Sequence, residues 1–582
     1  MFPEYSTYSA EIIDKAFTSE EGISYPKTAG LRFVSPDGHV ELTETLGYLE
    51  EKEIFALIRE GRDLVLDNCY IDALSLTSYR SGNELDSKEL VEVRNFSAKR
   101  AFFDNNRPID LSFAKFTGNE VSFEQSFFAR SSISFHASVF DDCGLNFSHV
   151  RVMIGDLEFT NIQMKSGNIN FKNSVFGPDT VDFQDAELGT GEVTFVNTDF
   201  GSGDVSFVNT QFGDGDVSFK VARFGEGKVD FHYAKFGEGD ISFERTEFGD
   251  GVKDFRTIEF GNGRVNFNRS VFGAGDVNFE ACQIKSGKIS FKRAEFGPGK
   301  IDFELGEFDD VDANFDRVDF GEGSISFHNS RFRTLSLVSC HINNYLDLRV
   351  AKCEFIDLSD TIARDIIDLK PYEFEIDVDR INFSGMRLIG RIYIDWNRNH
   401  VKDLIFRQED TSKRVKAEQF RTLKENFNVC GQYSDEDKAY LEFKRMESKA
   451  FLEESVRNNP LSSIWIYPLH GFKLLVFDWA GHYATNPLRV IISMLVTYTF
   501  WSFFLMFLTW FTRADVVSSL GDPDKLSLLA KSFYHCAITF LTIGYGDYYP
   551  SGNIRWVSSI IGFTGLFLMS YFTVAFVRKI LR

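Results

Sequence analysis

Phenylalanine recurs every twelve residues through the middle of this chain. It stands at positions 171, 183, 195, 207, 219, 231, 243, 255, 267, 279, 291, 303, 315 and 327. A second apolar series lies five residues on, at Phe176, Leu188, Phe200, Phe212 and onward to Phe332. One unit reads GDVSFVNTQFGD, residues 203–214. An apolar residue such as Val205 usually stands two before the first Phe. A small or short one (Thr210, Ala222, Ala234, Ser270, Ala294) stands two before the second. Looser copies run back to about Phe123. A short fixed period with alternating apolar positions and glycine turns is the mark of a solenoid of short strands. Alternation puts Val205 and Phe207 on one inward face, and Gly-x-Gly supplies the corner. One unit closed on itself has a bore too small for two phenyl rings. Two units, about 24 residues, are therefore expected per coil. With strands about 4.8 Å apart, the regular region makes a rod on the order of 40 Å long.

The Phe-x-x-small-x-Phe core resembles pentapeptide-repeat proteins, which implies a quadrilateral β-helix. CYIDALSL (69–76) before the regular units, and LSLVSCHINNYLDL (335–348) and IDLSDT (356–361) after them, continue the resemblance. The chain departs from that family by inserting a seven-residue, glycine-bearing segment between pentapeptides, which leaves coil shape and handedness open. Residues 47–61, GYLEEKEIFALIREG, have helical spacing and are expected to cap the open N-terminal strand edges. The Gly-x-Gly-Asp pieces bring calcium-binding repeats to mind. Those have a nine-residue period, and here the residue after the second glycine varies (Asp204, Lys228, Asp240, Arg264, Lys288). DNA mimicry by an acidic rod is a further alternative to a plain structural or interaction domain.

The net charge of −22 argues against a basic nucleic-acid-binding surface. With 63 Phe and only 12 Pro, the bulk is expected to be folded. The seven cysteines (69, 143, 282, 340, 353, 430, 536) form no CxxC pair, so neither a metal site nor a disulfide framework is expected. The acidic start, MFPEYSTYSAEIIDKAF, lacks the apolar run of a secretory signal, which places the large N-terminal part in the cytoplasm.

After about residue 408 the spacing becomes helical. In residues 417–451, Phe420, Leu423 and Phe427 share one face, and Ala439, Phe443 and Met446 share another on a second helix. Gly431 is expected to end the first helix and Ser434 to cap the second. The hairpin is weakly similar to tetratricopeptide units, and its charges read as a solvated face or, alternatively, a force-transmitting link.

Two apolar runs follow, at 488–511 and 556–580, each long enough to cross a bilayer. Arg489 opens the first, and Arg578 and Lys579 end the second. With Lys473 and Arg582 they place both termini on the cytoplasmic side. Residues 527–540 are helix-compatible but too short to span. Non-helical backbone at membrane depth needs burial in protein or a water-filled cavity. TFLTIGYGDYYP (539–550) is thus expected to line a pore.

Thr542-Ile543-Gly544-Tyr545-Gly546-Asp547, behind a pore helix and between two spans, resembles the filter of two-transmembrane potassium channels. The resemblance covers about the last hundred residues. It implies a homotetramer in which carbonyls of Thr542, Ile543, Gly544 and Tyr545 ring a dehydrated K+, with Gly546 closing the filter. It also departs in places. Leu541 replaces the usual threonine, Tyr534-His535 replaces an aromatic pair, and Ile538 stands where an acidic partner of the filter aspartate can lie. Asp547 is expected to bond Tyr534 or His535 instead, with His535 alternatively an ordinary packed residue. Gly565, with Gly562, marks a gating hinge or a close helix packing. Thr564 and Ser570 are cavity-facing candidates.

The whole arrangement resembles bacterial pentapeptide-repeat potassium channels. It is multidomain: a capping region (1–65), a cytoplasmic pentapeptide-repeat-like β-solenoid (66–408), a helical-hairpin connector (409–465), an interfacial pre-span segment (466–487) and an all-α two-transmembrane pore domain with a re-entrant loop (488–582). The expected function is potassium conduction across the inner (plasma) membrane, without cofactor other than permeant K+. Expected partners are lipid, three further copies and an unidentified cytoplasmic ligand or protein on the solenoid, but not nucleic acid. The alternative is a membrane-anchored scaffold with a vestigial or nonselective pore. No nucleophile–base pair, phosphate loop or metal cluster marks an enzyme, and no Arg-rich helix marks a voltage sensor. Since the sequence stops just after the second span, signals from the rod are expected to enter through the connector, the pre-span segment and the first span.

Overall fold

The computed structural model describes residues 7–35, 38–104, 108–372, 374–520 and 526–581. Arg582, one of the basic residues used above, and the first six residues lie outside them. The chain divides after Gln408 into two compact units.

The first unit is a parallel β-solenoid. Val205–Ser206 pairs with Val229–Asp230, Val217–Ser218 with Ile241–Ser242, and Arg223–Phe224 with Glu247–Phe248. Gln211 bridges Lys235 in the same way. Each partner lies 24 residues on, so two sequence units close one four-sided coil, as the bore argument requires. One of the ladders holds 13 strands, from Ile109–Asp110 to Arg391–Tyr393. At ~4.8 Å per step it is roughly 58 Å long.

The phenylalanines fill the bore in columns. Phe207 stacks on Phe231 with centroids 4.7 Å apart, and Phe212 on Phe236 at 4.3 Å. Within a coil Phe207 meets Phe219 edge-on at 5.6 Å. Both stacked and edge-to-face pairs add to plain burial, by about 0.5–1.5 kcal/mol each. The small position has its own reason. Thr210 Oγ1 donates to the Phe183 carbonyl at 2.8 Å and Ser270 Oγ to that of Phe243 at 2.6 Å, so these fully buried hydroxyls tie adjacent coils together.

The corners are of two kinds, and the sequence reading found one. The residue two after the first Phe is left-handed: Asn209, Val221 and Tyr233 have φ of 55, 58 and 61°. In several units the side chain three residues earlier primes this turn. Asp182 accepts from Gln184 N–H at 2.8 Å and Asp230 from His232 N–H at 3.0 Å. The Gly-x-Gly corner answers a different demand. A Cβ on Gly227 would lie 2.1 Å from the Gly203 carbonyl oxygen of the coil below, and one on Gly239 would lie 2.2 Å from that of Gly215. These glycines permit close backbone stacking. The following aspartates, which raised the calcium alternative, accept from the next coil: Asp204 from Lys228 N–H at 2.7 Å and Asp240 from Arg264 N–H at 2.9 Å.

The N-terminal cap is larger than the expected helix. Thr7–Ile13, Lys27–Val34 and Val40–Tyr48 form an antiparallel sheet, and the last of these joins a solenoid ladder through Cys69–Ile71. Ala29, Leu31 and Phe33 alternate inward, a strand pattern that KTAGLRFV carries. Helix α1 (Glu51–Arg59) follows, burying Ile54 and Ile58, and a short α2 (Leu76–Gly82) packs beside it through Tyr79 and Phe55. At the other end α3 (Val401–Phe406) buries Val401, Leu404 and Ile405 against Asp377–Asn382.

In the second unit α4 (Lys413–Val429) and α5 (Tyr433–Asn458) form the expected hairpin. Phe420, Leu423 and Phe427 are buried, as are Ala439 and Met446, while Phe443 is half-buried. Gly431 (φ 71°) ends α4. Its N–H meets the Asn428 carbonyl and that of Gln432 meets Phe427. This tight turn starts α5 at Tyr433, so Ser434 lies inside the helix and does not cap it. Helix α6 (Ser463–Lys473) runs into a π-helical turn, Leu474–Trp479. Among the described residues two helices have the length and apolarity to cross a membrane, α7 (Pro487–Phe511) and α9 (Ile554–Ile580). Between them lies α8 (Leu528–Phe540).

One position breaks the solenoid rule. Lys253 occupies the inward place held by Val229 and Val277 in the coils on either side. It is 1% exposed, and its Nζ has no hydrogen-bond partner among the described residues, while the preceding Val252 points outward at 45% exposure. Burial pushes the amine down from 10.5 to about 8. The charged form is disfavoured in the fold, so the cost is present below pH 8 and fades as pH rises toward 10.5. Lys253→Met should stabilise the solenoid at neutral pH by up to about 3 kcal/mol, with the gain shrinking at pH near 10. Parallel melting curves at both pH values would refute this. Gly227→Ala should cost roughly 1–3 kcal/mol in the same melts, because backbone of the adjacent coil must shift.

Candidate functional site: the loop after α8

Ser527 caps α8, its Oγ accepting from Ala530 N–H at 3.2 Å. The helix ends at Phe540, and the chain turns sharply. Thr542 N–H reaches the Thr539 carbonyl at 3.1 Å, and the N–H groups of Ile543 and Gly544 share that of Ile538 at 2.8 and 3.2 Å.

From there φ alternates in sign. Thr542, Gly544 and Gly546 have φ of 56, 67 and 75°, whereas Ile543 and Tyr545 are not in the positive region. In an ordinary strand successive carbonyls point to opposite sides; alternating φ turns them toward the same side. Two of the three positive positions are glycine. The third, Thr542, is β-branched, for which this conformation is a costly outlier. Sequence reasoning credited the glycines alone. The carbonyls of Thr542, Ile543, Gly544 and Tyr545 accept no hydrogen bond among the described residues. All five residues from Thr542 to Gly546 are exposed on the single chain, Tyr545 at 72%.

The loop is held from behind. Tyr534 Oη donates to Asp547 Oδ2 at 2.6 Å. His535 does different work. Its Nδ1 lies 3.1 Å from the Tyr548 carbonyl and its Nε2 lies 3.0 Å from Ser558 Oγ on α9. The Asp547 carbonyl accepts from Ser519 N–H at 2.8 Å. Tyr548–Pro550 then pairs antiparallel with Val516–Ser518. Lys531 Nζ sits 2.6 Å from Asp515 Oδ2, which fixes the start of that strand to α8. Asp515, Lys531 and Ser558 were missed in the sequence. Lys531 had a signal, as the one cation in an apolar short helix; the others lie in unrelated segments.

Gly565 is where α9 crosses the end of α8. A Cβ there would lie 1.9 Å from the Phe540 carbonyl oxygen. Gly562 faces Thr539 with ordinary clearance, 3.6 Å. Through both glycines α9 is one unbroken helix. Thr564 is half-buried and Ser570 exposed, and they donate to Ile560 and Leu566 carbonyls of their own helix, at 2.7 and 2.8 Å.

The Tyr534–Asp547 bond is the support most open to test. Tyr534→Phe removes a bond to a charged acceptor, worth about 1.5–3 kcal/mol. Amide exchange at residues 546–548 should speed up accordingly in the intact protein. Unchanged exchange would show that the bond does not hold the loop.

Residues 488–582 match a protein-family model described as "Ion channel". No curated protein and no solved structure matches the chain. The match covers both candidate spans, the short helix between them and the loop with alternating φ. The C-terminal part of this protein is an ion-channel domain of the two-transmembrane type, attached to a β-solenoid.

Proposed function

We propose that the protein is a potassium-selective channel. Four copies surround one axis, and each contributes the loop Thr542–Gly546. The observation that carries this reading is the run of four carbonyls, Thr542 to Tyr545, without hydrogen-bond partners among the described residues, on a backbone of alternating φ. Such oxygens can replace the water around a dehydrated cation. The Thr542 hydroxyl adds an innermost ring of oxygens. Its exposure on the single chain fits a surface completed by further copies. The C-terminal end of α8 carries partial negative charge toward the cation path.

Arg489 at the start of α7 and Arg578 and Lys579 at the end of α9 support a cytoplasmic placement of both chain ends. Helix α6 fits a membrane surface. None of its residues is buried; Ile464, Trp465, Leu469 and Phe472 are exposed, with His470 and Lys473 in its last turn. The solenoid then lies in the cytoplasm, where it regulates the pore.

Liposomes holding the purified full-length protein under a potassium gradient test this directly. Potassium flux should exceed sodium flux and vanish in Gly546→Asp, whose side chain meets a φ of 75° that only glycine adopts at low cost. Equal fluxes of the two ions would leave a nonselective pore. No flux from a tetrameric wild type, even with residues before about 460 removed, would leave a membrane-anchored scaffold.

A further inference from the structure

The covalent path from connector to pore runs through α6 and α7. The second unit contains a shorter one, because α5 touches α9 directly. Lys579 Nζ lies 2.6 Å from Asp437 Oδ2, and Arg578 Nη2 lies 3.1 Å from Asp437 Oδ1. The same guanidinium is 3.7 Å from Glu436 and sits over the Tyr440 ring at 4.3 Å. Both carboxylates are buried. Glu436 lies in the first turn of α5 and Asp437 directly follows it, and the two cations occupy the last turn of α9. Each set has the sign that its helix end favours, so two helix termini meet through complementary charge.

A second contact reaches α9 at Tyr571, about two turns before Arg578. Tyr571 Oη donates to the Phe477 carbonyl at 2.9 Å and accepts from Ala484 N–H at 2.8 Å. Phe477 lies in the π-helical turn, a rare form frequent at functional sites. Ala484 ends a run of three left-handed, non-glycine residues, His482, Tyr483 and Ala484, with φ of 49, 54 and 63°. Strained backbone of this kind persists only where surrounding groups hold it. Arg445 of α5 grips the same turn, with Nε and Nη2 at 2.8 and 2.9 Å from the two Asp478 oxygens.

A buried ion pair is poor evidence of stabilisation, since well-packed apolar residues do as well. It does fix a specific arrangement and breaks at high cost when one partner is removed. Here every such group joins the connector, or the turn it grips, to one helix.

We propose that α5 is coupled directly to α9, through Asp437 and Glu436 on Arg578 and Lys579, and through Arg445 and the π-turn on Tyr571. Movement of α5 then sets the conformation of α9 without passing through α7. The inference rests on the reading of α9 as the pore-lining helix. Coupling of this kind is reciprocal, so the state of the pore also biases the connector.

The test uses the full-length protein in liposomes: wild type, Asp437→Asn, Tyr571→Phe, and the charge exchange Asp437→Lys with Lys579→Asp. Ion flux and amide exchange at residues 572–581 are measured for each. Both single variants should change potassium flux about fivefold or more, in either direction, at an unchanged potassium-to-sodium ratio. They should also speed exchange at 572–581, and the charge exchange should bring both readouts back toward wild type. Flux unchanged in the single variants of a conducting protein overturns the proposal. So does an altered ion ratio, which would place the effect in the filter. A wild type without flux defeats the pore reading instead, and amide exchange then decides the contact alone. Faster exchange in Asp437→Asn supports the coupling, and unchanged exchange overturns it.

Discussion

Backbone carbonyls and N–H groups must find partners, and this demand shapes both units of the protein. In the solenoid almost no partner is local. The Val205 N–H bonds to the Lys228 carbonyl and the Phe207 N–H to that of Asp230, each in the next coil. Coils can share bonds only if their backbones come within hydrogen-bonding distance on every side. The glycine columns, Gly203 under Gly227 and Gly215 under Gly239, are what permit that approach at the corners. The 12-residue period is the sequence image of this requirement, since a one-residue slip would turn Val205 and Phe207 outward.

In the C-terminal unit the same demand is met within helices, as a bilayer requires. The exception is the stretch after α8. Its four carbonyls, Thr542 to Tyr545, accept no hydrogen bond among the described residues, and the neighbouring groups hold the chain. Asp547 takes the Tyr534 hydroxyl, the Tyr548 carbonyl faces His535, and Asp515 takes Lys531. Besides the N–H groups of Thr542, Ile543 and Gly544, which bond carbonyls at the end of α8, these side chains give the loop its support. The stretch therefore combines strained φ with a dense set of side-chain bonds behind it.

The glycines of this chain serve separate physical ends, which composition alone does not distinguish. Gly227 is required by the carbonyl beneath it, Gly431 by the left-handed end of α4, and Gly565 by the crossing of α9 over the end of α8. At Gly565 the helix is continuous, so its structural role is close approach. The charged groups divide similarly. Solenoid aspartates such as Asp182 and Asp204 serve backbone N–H groups, while those of α5 serve the cations of α9.

The sequence by itself determined the solenoid, its two units per coil, the connector hairpin, the two apolar helices and the loop between them. Each of these rests on a local or periodic pattern: phenylalanine every twelve residues, apolar faces at helical spacing, long uncharged runs, and paired glycines. What only the tertiary structure decided depends on residues far apart in the chain. The left-handed corner at Asn209 becomes plain once its neighbours Val221 and Tyr233 take the same φ without sharing a residue type. Lys253 looks like a surface residue until its register places it between two valines. Ser434 reads as a cap, yet the turn bonds around Gly431 start α5 two residues earlier than such a cap would. The contacts from Asp437 to Lys579, 142 residues apart, and from Tyr571 to Phe477, 94 apart, leave no periodic trace. Periodicity reports which face of an element is buried. Which partner that face meets is set by how the elements pack, and packing joins positions that no spacing rule connects.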